Sequence, residues 1–99
     1  MSWYVYVLRC GDDSLYTGVT NDLRRRLSEH QAGRGGHYTR AHLPVRMVGT
    51  WRYGERGVAL SAEAAFKRLR RSAKLRCLRS RQPFYAGPFD AQALREVVA

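Results

Sequence analysis

Four side chains in the first third of the chain have types and spacing that could do chemistry: Tyr6, Tyr16, Arg26 and His30. A phenol becomes a general base once its pKa, about 10 in isolation, is lowered. A neighbouring guanidinium or a divalent cation has that effect. Arginine keeps its charge at any working pH and forks onto phosphate oxygens. Taken singly, the bland readings win. Strand tyrosines are mostly core, a lone helical arginine is a surface residue, and a lone helical histidine is partly buried packing. The order and spacing of the four are what raise them above that.

Three consecutive elements must position them. Trp3-Tyr4-Val5-Tyr6-Val7-Leu8 and Leu15-Tyr16-Thr17-Gly18-Val19 alternate and are rich in aromatic and β-branched residues, the pattern of strands. Cys10-Gly11-Asp12-Asp13-Ser14 supplies turn residues between them. A loop of these five residues pairs Arg9 with Leu15, Leu8 with Tyr16 and Tyr6 with Gly18. Directly opposed residues share a face, so Tyr4, Tyr6 and Tyr16 project from one side. A loop one residue shorter would turn Tyr16 to the other side. Gly18 leaves a gap beside Tyr6 where another group can approach the backbone. A helix follows, with Thr20 or Asn21 as N-cap and Asp22 in its first turn. Leu23, Leu27 and His30 or Gln31 recur at helical spacing and face inward. Arg26 and His30, four apart, lie on one stripe beside the leucines.

This ordered set resembles the GIY-YIG nuclease superfamily. It has Tyr4-Val5-Tyr6, then Tyr16-Thr17-Gly18, an arginine ten residues past the second tyrosine and a histidine four beyond it. Tyr4 stands where the family usually has glycine. His30-Gln31-Ala32-Gly33-Arg34-Gly35-Gly36 is similar to the loop after this helix in the Slx-type structure-selective endonuclease subunits. The small single-domain bacterial members of the YhbQ type are the most alike, and the resemblance runs over residues 3–80. It implies a glutamate on a later helix as metal ligand, and Glu63 is placed for it. It further implies one of Tyr6 or Tyr16 as base, Arg26 on the phosphate, and His30 assisting by proton transfer or by orienting water. The implied cofactor is one divalent ion, Mg2+ or Mn2+, on Glu63. A carboxylate suits such a hard cation, which keeps water and substrate phosphate as its other ligands. The ion would polarise the phosphate and steady the departing oxygen. Several relatives carry an asparagine or similar polar residue further along; here that zone holds Lys74, Leu75 and Arg76. Taken alone, Glu63 reads as an i,i+4 partner of Lys67.

The rest of the chain bounds the reading. Among 99 residues, 18 Lys and Arg face 8 Asp and Glu, a net charge of +10. That balance calls for a polyanionic partner, nucleic acid first and an anionic membrane second. No apolar run is long enough to span a bilayer and the amino terminus enters a strand at once, so a cytoplasmic protein without a signal peptide is expected. Cys10 and Cys77 lack metal-ligand spacing and read as reduced. Without repeat or linker, residues 1–99 read as a single domain.

Gly33 to Pro44 reads as a loop, basic and aromatic: either a phosphate-and-base contact or a plain connector. Val45 to Tyr53 is a third strand, with Val45, Met47, Gly49, Trp51 and Tyr53 on one face and Arg46, Val48 and Thr50 on the other. Gly54-Glu55-Arg56-Gly57 closes it as a turn. Ala59, Ala62, Phe66 and Leu69 make the inward stripe of a long helix, with Val58, Ala65 and Glu63 beside it. Eight basic residues, uninterrupted by an acid, run from Lys67 to Arg81, in helix broken near Ser72. Phe84, Tyr85 and Phe89 read as packing anchors, and Asp90 caps a last helix, Ala91 to Val98.

These readings predict a compact α/β fold: a small three-stranded antiparallel sheet flanked by helices, in the order β-β-α-β-α-α. They predict a metal-dependent endonuclease that hydrolyses phosphodiester bonds, with DNA favoured over RNA and neither membrane nor small-molecule cofactor involved. Tyr6, Tyr16, Arg26, His30 and Glu63 would be catalytic. Arg24, Arg25, Arg34, His37, Lys67, Arg70, Arg71 and Lys74 would contact nucleic acid through its backbone. The alternative is a nucleic-acid-binding module that keeps fold and charge without turnover. The first reading requires Tyr6, Tyr16, Arg26 and Glu63 to converge on one cleft; the second requires only the basic surface.

Overall fold

The computed structural model describes residues 1–98. Strands β1 (Trp3–Arg9), β2 (Leu15–Thr20) and β3 (Arg46–Tyr53) form one antiparallel sheet in the order β2-β1-β3. The helices are α1 (Leu23–Gln31), α2 (His37–Ala41), α3 (Arg56–Lys67), α4 (Arg71–Ser80) and α5 (Ala91–Val98). The expected sheet is therefore present. One short helix is additional, α2, formed within the stretch read as loop; the last helix expected from Ala91 to Val98 is present as α5.

The β1–β2 register is the predicted one: Tyr6 faces Gly18, Leu8 faces Tyr16 and Arg9 faces Leu15. The turn closes through Cys10 N–H to the Ser14 carbonyl at 2.9 Å, with Asp13 in the left-handed region at φ 72°. Asp is one of the few side chains that tolerate it. At the head of α1 the N-cap is Asp22, not Thr20 or Asn21; its carboxylate accepts from Arg25 N–H at 3.1 Å. Aspartate there also answers the positive end of the helix dipole.

Layers build on both faces of the sheet. Tyr6, Leu8 and Met47 on one face pack with Leu23 and Leu27 of α1 and Leu94 of α5. Val5, Val7, Trp51 and Tyr53 on the other pack with Ala59, Ala62 and Phe66 of α3 and with Leu69, Cys77 and Leu78. Central β1 is covered on both sides, which is why Val5 to Leu8 are all buried. Trp51, Phe66, Phe84 and Phe89 form an aromatic cluster, Trp51 and Phe89 meeting edge-on at 5.2 Å. The indole N–H donates to the Gln82 carbonyl at 2.9 Å.

Other expectations give way. Alternation along the third strand breaks at Val48: Val7 pairs with Gly49 but Leu8 with Met47, so Val48 is an extra residue. Such a bulge turns everything beyond it to the opposite face. Met47 therefore joins the α1 side while Trp51 and Tyr53 join the α3 side. The helix break falls at 68–70, earlier than Ser72, and α3 begins at Arg56, inside the expected turn. Val58 and Tyr85 are exposed, at 43% and 54%, rather than packed beside the stripe or anchoring the tail.

The bulge is testable. Deleting Val48 would leave Met47 next to Gly49 in plain alternation, so Met47 and Val45 would keep the α1 face and Trp51 and Tyr53 the α3 face. The deletion should therefore keep a cooperative unfolding transition, and Val48→Ala should cost only about 1 kcal/mol; loss of cooperativity on deletion would show that Val48 is not surplus to the pairing. Urea melts of the two proteins make the comparison.

Candidate active site

The Tyr6 side chain is buried, and its hydroxyl sits between two partners from α1. Arg26 Nε donates to it at 3.3 Å, and His30 Nε2 lies 2.8 Å away. His30 is fully buried, with Nδ1 2.8 Å from the Thr39 hydroxyl. One proton arrangement uses every hydrogen: Tyr6 O–H donates to Nε2, Nδ1–H donates to Thr39 Oγ1, and Thr39 donates to the Gly36 carbonyl at 3.5 Å. Both ring nitrogens are thereby committed, and His30 reaches the cleft only through Tyr6. Two glycines make room. A Cβ on Gly18 would overlap the Tyr6 hydroxyl, and one on Gly35 would overlap the His30 ring. The gap expected at Gly18 is thus filled by Tyr6 itself.

Arg26 is held at three points. Besides Tyr6, its Nη1 donates to Glu29 Oε1 at 3.1 Å and its Nη2 to the Gly35 carbonyl at 2.8 Å. A guanidinium has five N–H donors. Two remain, the number a bidentate phosphate contact takes.

Tyr16 stands half-buried on β2, its ring 6.4 Å from Tyr6 and 5.2 Å from His30. Among the described residues its hydroxyl makes no hydrogen bond. Glu63, on α3, approaches from the opposite face of the sheet. Its side chain is 19% exposed and its Oε2 lies 3.5 Å from Lys67 Nζ, the i,i+4 pair expected of it alone. Tyr6, Tyr16, Arg26 and Glu63 nonetheless line one open cleft of about 460 Å3. It runs along the free edge of β2, past Gly18, with α1 on one side and α3 on the other. Glu29, Arg25 and Arg56 also line it, and the Arg56 guanidinium lies 5.7 Å from the centre of the Trp3 ring.

The other predicted residues scatter around this cleft. Arg25 lines it. Lys67 borders it through Glu63 and, with Lys74, lines a neighbouring cavity. Arg34, His37 and Arg70 are exposed, and His37 Nδ1 lies 3.2 Å from Arg40 Nη2. Arg71 pairs with Asp13 at 3.4 Å. Arg24 is directed elsewhere: its Nη2 donates to the Glu96 carbonyl at 2.8 Å, tying α1 to α5. Sequence reasoning passed over Glu29, Thr39 and Arg56. Glu29 carried a signal, lying three residues past Arg26 on the same helix face. Thr39 and Arg56 carried none, because each meets its partner only through tertiary packing.

The donor set bears on a metal. Among the described residues no three His, Cys, Asp or Glu side chains cluster. Glu63 and Glu29 are the carboxylates lining the cleft. One or two carboxylates beside an open, wettable cleft fit an ion of the Mg2+ type, which keeps several waters and takes substrate phosphate as ligand.

Burial pushes the Tyr6 hydroxyl up to about 12, against the Arg26 hydrogen bond that favours the phenolate; the charges of Tyr16 and Glu63 add to the rise. Burial, with the Arg26 charge behind it, pushes His30 down to about 4. Between about 4 and 6.5 the unfolded chain therefore binds a proton at His30 that the folded protein refuses. Stability present above the upper value is lost as pH falls through that window. Titration of the His30 ring protons by NMR, with denaturant midpoints over the same range, checks this. A ring titrating at its ordinary value would break the neutral bridge between Tyr6 and Thr39.

Comparisons with known proteins identify the family. Residues 2–76 match the GIY-YIG catalytic domain. A UPF0213 protein of Streptococcus sanguinis is 51% identical over 78 residues, which is 79% of this chain and 90% of that protein. The solution NMR structure of the UPF0213 protein BH0048 from Bacillus halodurans superposes with a TM-score of 0.55 at 38% identity, covering 87% of this chain and 92% of that one. The solution NMR structure of EF2693 from E. faecalis gives 0.57 at 45% identity, covering 81% and 85%. With the domain matched over most of its length and relatives of this likeness, the chain belongs to the GIY-YIG nuclease superfamily, among its small members of the YhbQ type.

Proposed function

We propose that this protein is a metal-dependent endonuclease that hydrolyses phosphodiester bonds in nucleic acid, DNA before RNA, with residues 1–99 working as one domain. The observation that carries the reading is the single cleft lined by Tyr6, Tyr16, Arg26 and Glu63, which stand on four separate elements and both faces of the sheet. Mere membership of the fold does not require that convergence, and a binding module would not need it.

The residues divide the work as their surroundings allow. Arg26, fixed at three points, offers its two remaining donors to the scissile phosphate. Tyr16 is the base: its hydroxyl is uncommitted and stands at the cleft. Tyr6 is a positioning residue, because its hydroxyl is already bonded on both sides and its pKa of about 12 opposes proton abstraction near neutrality. His30 holds Tyr6 and remains neutral. Glu63 would hold the divalent ion, giving up Lys67 to do so. When bound, the ion supplies positive charge to the phosphate and the leaving oxygen. The exposed cations of α4 and Arg25 would take up the neighbouring backbone phosphates.

Single-turnover cleavage, run beside binding measured without metal, separates catalysis from affinity. Glu63→Gln should retain affinity, since one negative charge is removed and the basic surface is intact. Its cleavage should fall by about two orders of magnitude, the scale of losing one strong transition-state stabiliser. Arg26→Ala should lose both turnover and some affinity. Wild-type cleavage by Glu63→Gln would reduce Glu63 to the partner of Lys67 and overturn the assignment. Affinity itself should fall steeply with salt, with a log–log slope of roughly −0.7 to −0.9 per phosphate contacted. Salt-insensitive binding would exclude the phosphate-contact role of α4.

A further inference from the structure

Beyond Tyr16 lies a second cavity, of about 330 Å3, lined by Leu15, Tyr16, Thr17, Tyr38, Lys67 and Lys74. It shares Tyr16 with the cleft of Arg26 and Glu63, so one ring is the wall between the two. Tyr38 is 42% exposed, an unusual state for a tyrosine that is held this firmly. Its hydroxyl donates to Ser14 Oγ at 2.6 Å, and Ser14 Oγ in turn donates to Asp12 at 2.5 Å. The His42 ring is stacked on it at 4.3 Å and 22°. His42 is itself fixed, with Nε2 3.4 Å from Asp12 Oδ2 and Nδ1 2.6 Å from the Tyr38 carbonyl. The β1–β2 turn thus clamps both rings from one aspartate. His42 covers one face of the Tyr38 ring and does not line the cavity, which Tyr38 shares with Tyr16, Lys67 and Lys74. The ring lies nearly parallel to Tyr16, at 22° and 6.3 Å between centres.

Phosphate alone does not explain such a ring. A backbone phosphate calls for Lys67 and Lys74 but has nothing to lay on an aromatic face. A base inside a duplex is stacked on its own neighbours and cannot leave them without unstacking. An unpaired base offers a flat π-face of the kind that aromatic platforms take up, and lysines beside the platform take the phosphates on either side.

Resting on the nuclease reading above, we propose that the Tyr38–Lys67–Lys74 cavity is a subsite for an unpaired nucleobase next to the scissile phosphate. Tyr38 stacks on the base, Lys74 and Lys67 contact its flanking phosphates, and the strand crosses Tyr16 into the cleft. The preferred substrate is then a strand that is single, frayed or gapped at the nucleotide beside the cut, not a continuous duplex. Lys74 is suited to this role because, among the described residues, it makes no ion pair. Lys67 becomes free for it when Glu63 takes a cation.

The experiment uses the full chain without metal and three labelled DNAs of one sequence: a single strand, the same strand with one abasic residue moved through successive positions, and the continuous duplex. Affinity is measured for wild type, Tyr38→Ala, Tyr38→Phe and Lys74→Gln. Tyr38→Ala should weaken the single strand about tenfold more than the duplex, the scale of one lost base–aromatic stack. Tyr38→Phe loses the Ser14 bond but keeps the ring and its His42 stack, so it should retain most of the single-strand affinity that Tyr38→Ala loses, with circular dichroism confirming that both variants are folded. An abasic residue at one position should cost the wild type the same factor and should cost Tyr38→Ala nothing further. Equal losses on single strand and duplex, or no abasic position that matters, would overturn the subsite. Cleavage with Mn2+ is scored on the same DNAs. If the protein cleaves but is indifferent to Tyr38 and to the abasic residue, only the subsite falls. If it neither binds nor cleaves any of them, the nuclease reading falls with it.

Discussion

The hydroxyl of Tyr6 is the point at which sheet, first helix and glycine-rich loop are joined. A buried hydroxyl without partners costs roughly 2–7 kcal/mol, depending on the reference. Here the cost is met on both sides, by Arg26 and by His30. Each partner is then fixed by the segment that follows α1: Arg26 by the Gly35 carbonyl of the loop and His30 by Thr39 of α2. The arrangement needs β1 in the middle of the sheet, so that Tyr6 is covered, and glycine at 18, so that its ring has somewhere to lie. Removing any one member leaves the next with a buried polar atom unpaired, which is why such networks behave as units. A guanidinium held this way reaches the cleft with little rotamer freedom left to lose.

The cleft lies where it does because β2 is an edge. An unpaired strand edge is a liability that proteins cover or charge. Here α1 and α3 rise on opposite faces and leave the edge open between them, with Arg25, Arg26 and Arg56 around it. Repulsion between these guanidinium groups and those of a second copy discourages edge-to-edge pairing. The same charges and the same opening admit an extended polyanion. One arrangement therefore answers both a folding hazard and the needs of a site.

What was legible in the sequence was local. The hairpin register followed from loop length and alternation, and with it the shared face of Tyr6 and Tyr16. The helical stripe of Leu23 and Leu27 located Arg26 and His30. Non-local features were closed to that reading. Nothing in Arg46 to Tyr53 announces that Val48 is an extra residue, because its type suits either face; the bulge follows from pairing with β1. The α2 turn forms in a stretch rich in glycine and short of apolar residues, where propensity argues against helix. It exists because Thr39 is buried against His30 and Tyr38 is tied to the hairpin turn. Val58 and Tyr85 were assigned inward by type alone, and large apolar residues on a surface are common. The site followed the same division. Its candidate residue types could be picked from spacing, but the division between a free Tyr16 and a committed Tyr6 depends on hydrogen bonds that only the fold creates.

Charge sets a final constraint on how the cleft can work. Acids are scarce in this chain, and most of the ones outside the cleft have structural partners: Asp22 caps α1, Asp90 caps α5 and pairs with Arg52, and Asp12 and Asp13 hold the hairpin turn to His42, Arg9 and Arg71. Glu29 balances Arg26. Glu63 shares the cleft with Glu29 but enters it from α3, on the face opposite Arg26, and its partner is Lys67. Two like charges at contact distance repel even when water screens them, and more strongly as the cleft closes and water leaves. A carboxylate there weakens polyanion binding unless a positive charge stands between it and the phosphate. Lys67 can neutralise Glu63, but it cannot bridge carboxylate and phosphate oxygens in a fixed geometry, since its ammonium sits on a flexible stem. A divalent cation held by Glu63 would supply that charge, since such an ion takes oxygen ligands and retains charge after one carboxylate has bound. The unfavourable position of Glu63 for binding alone is thus the feature that most separates a nuclease from a basic module that merely holds nucleic acid.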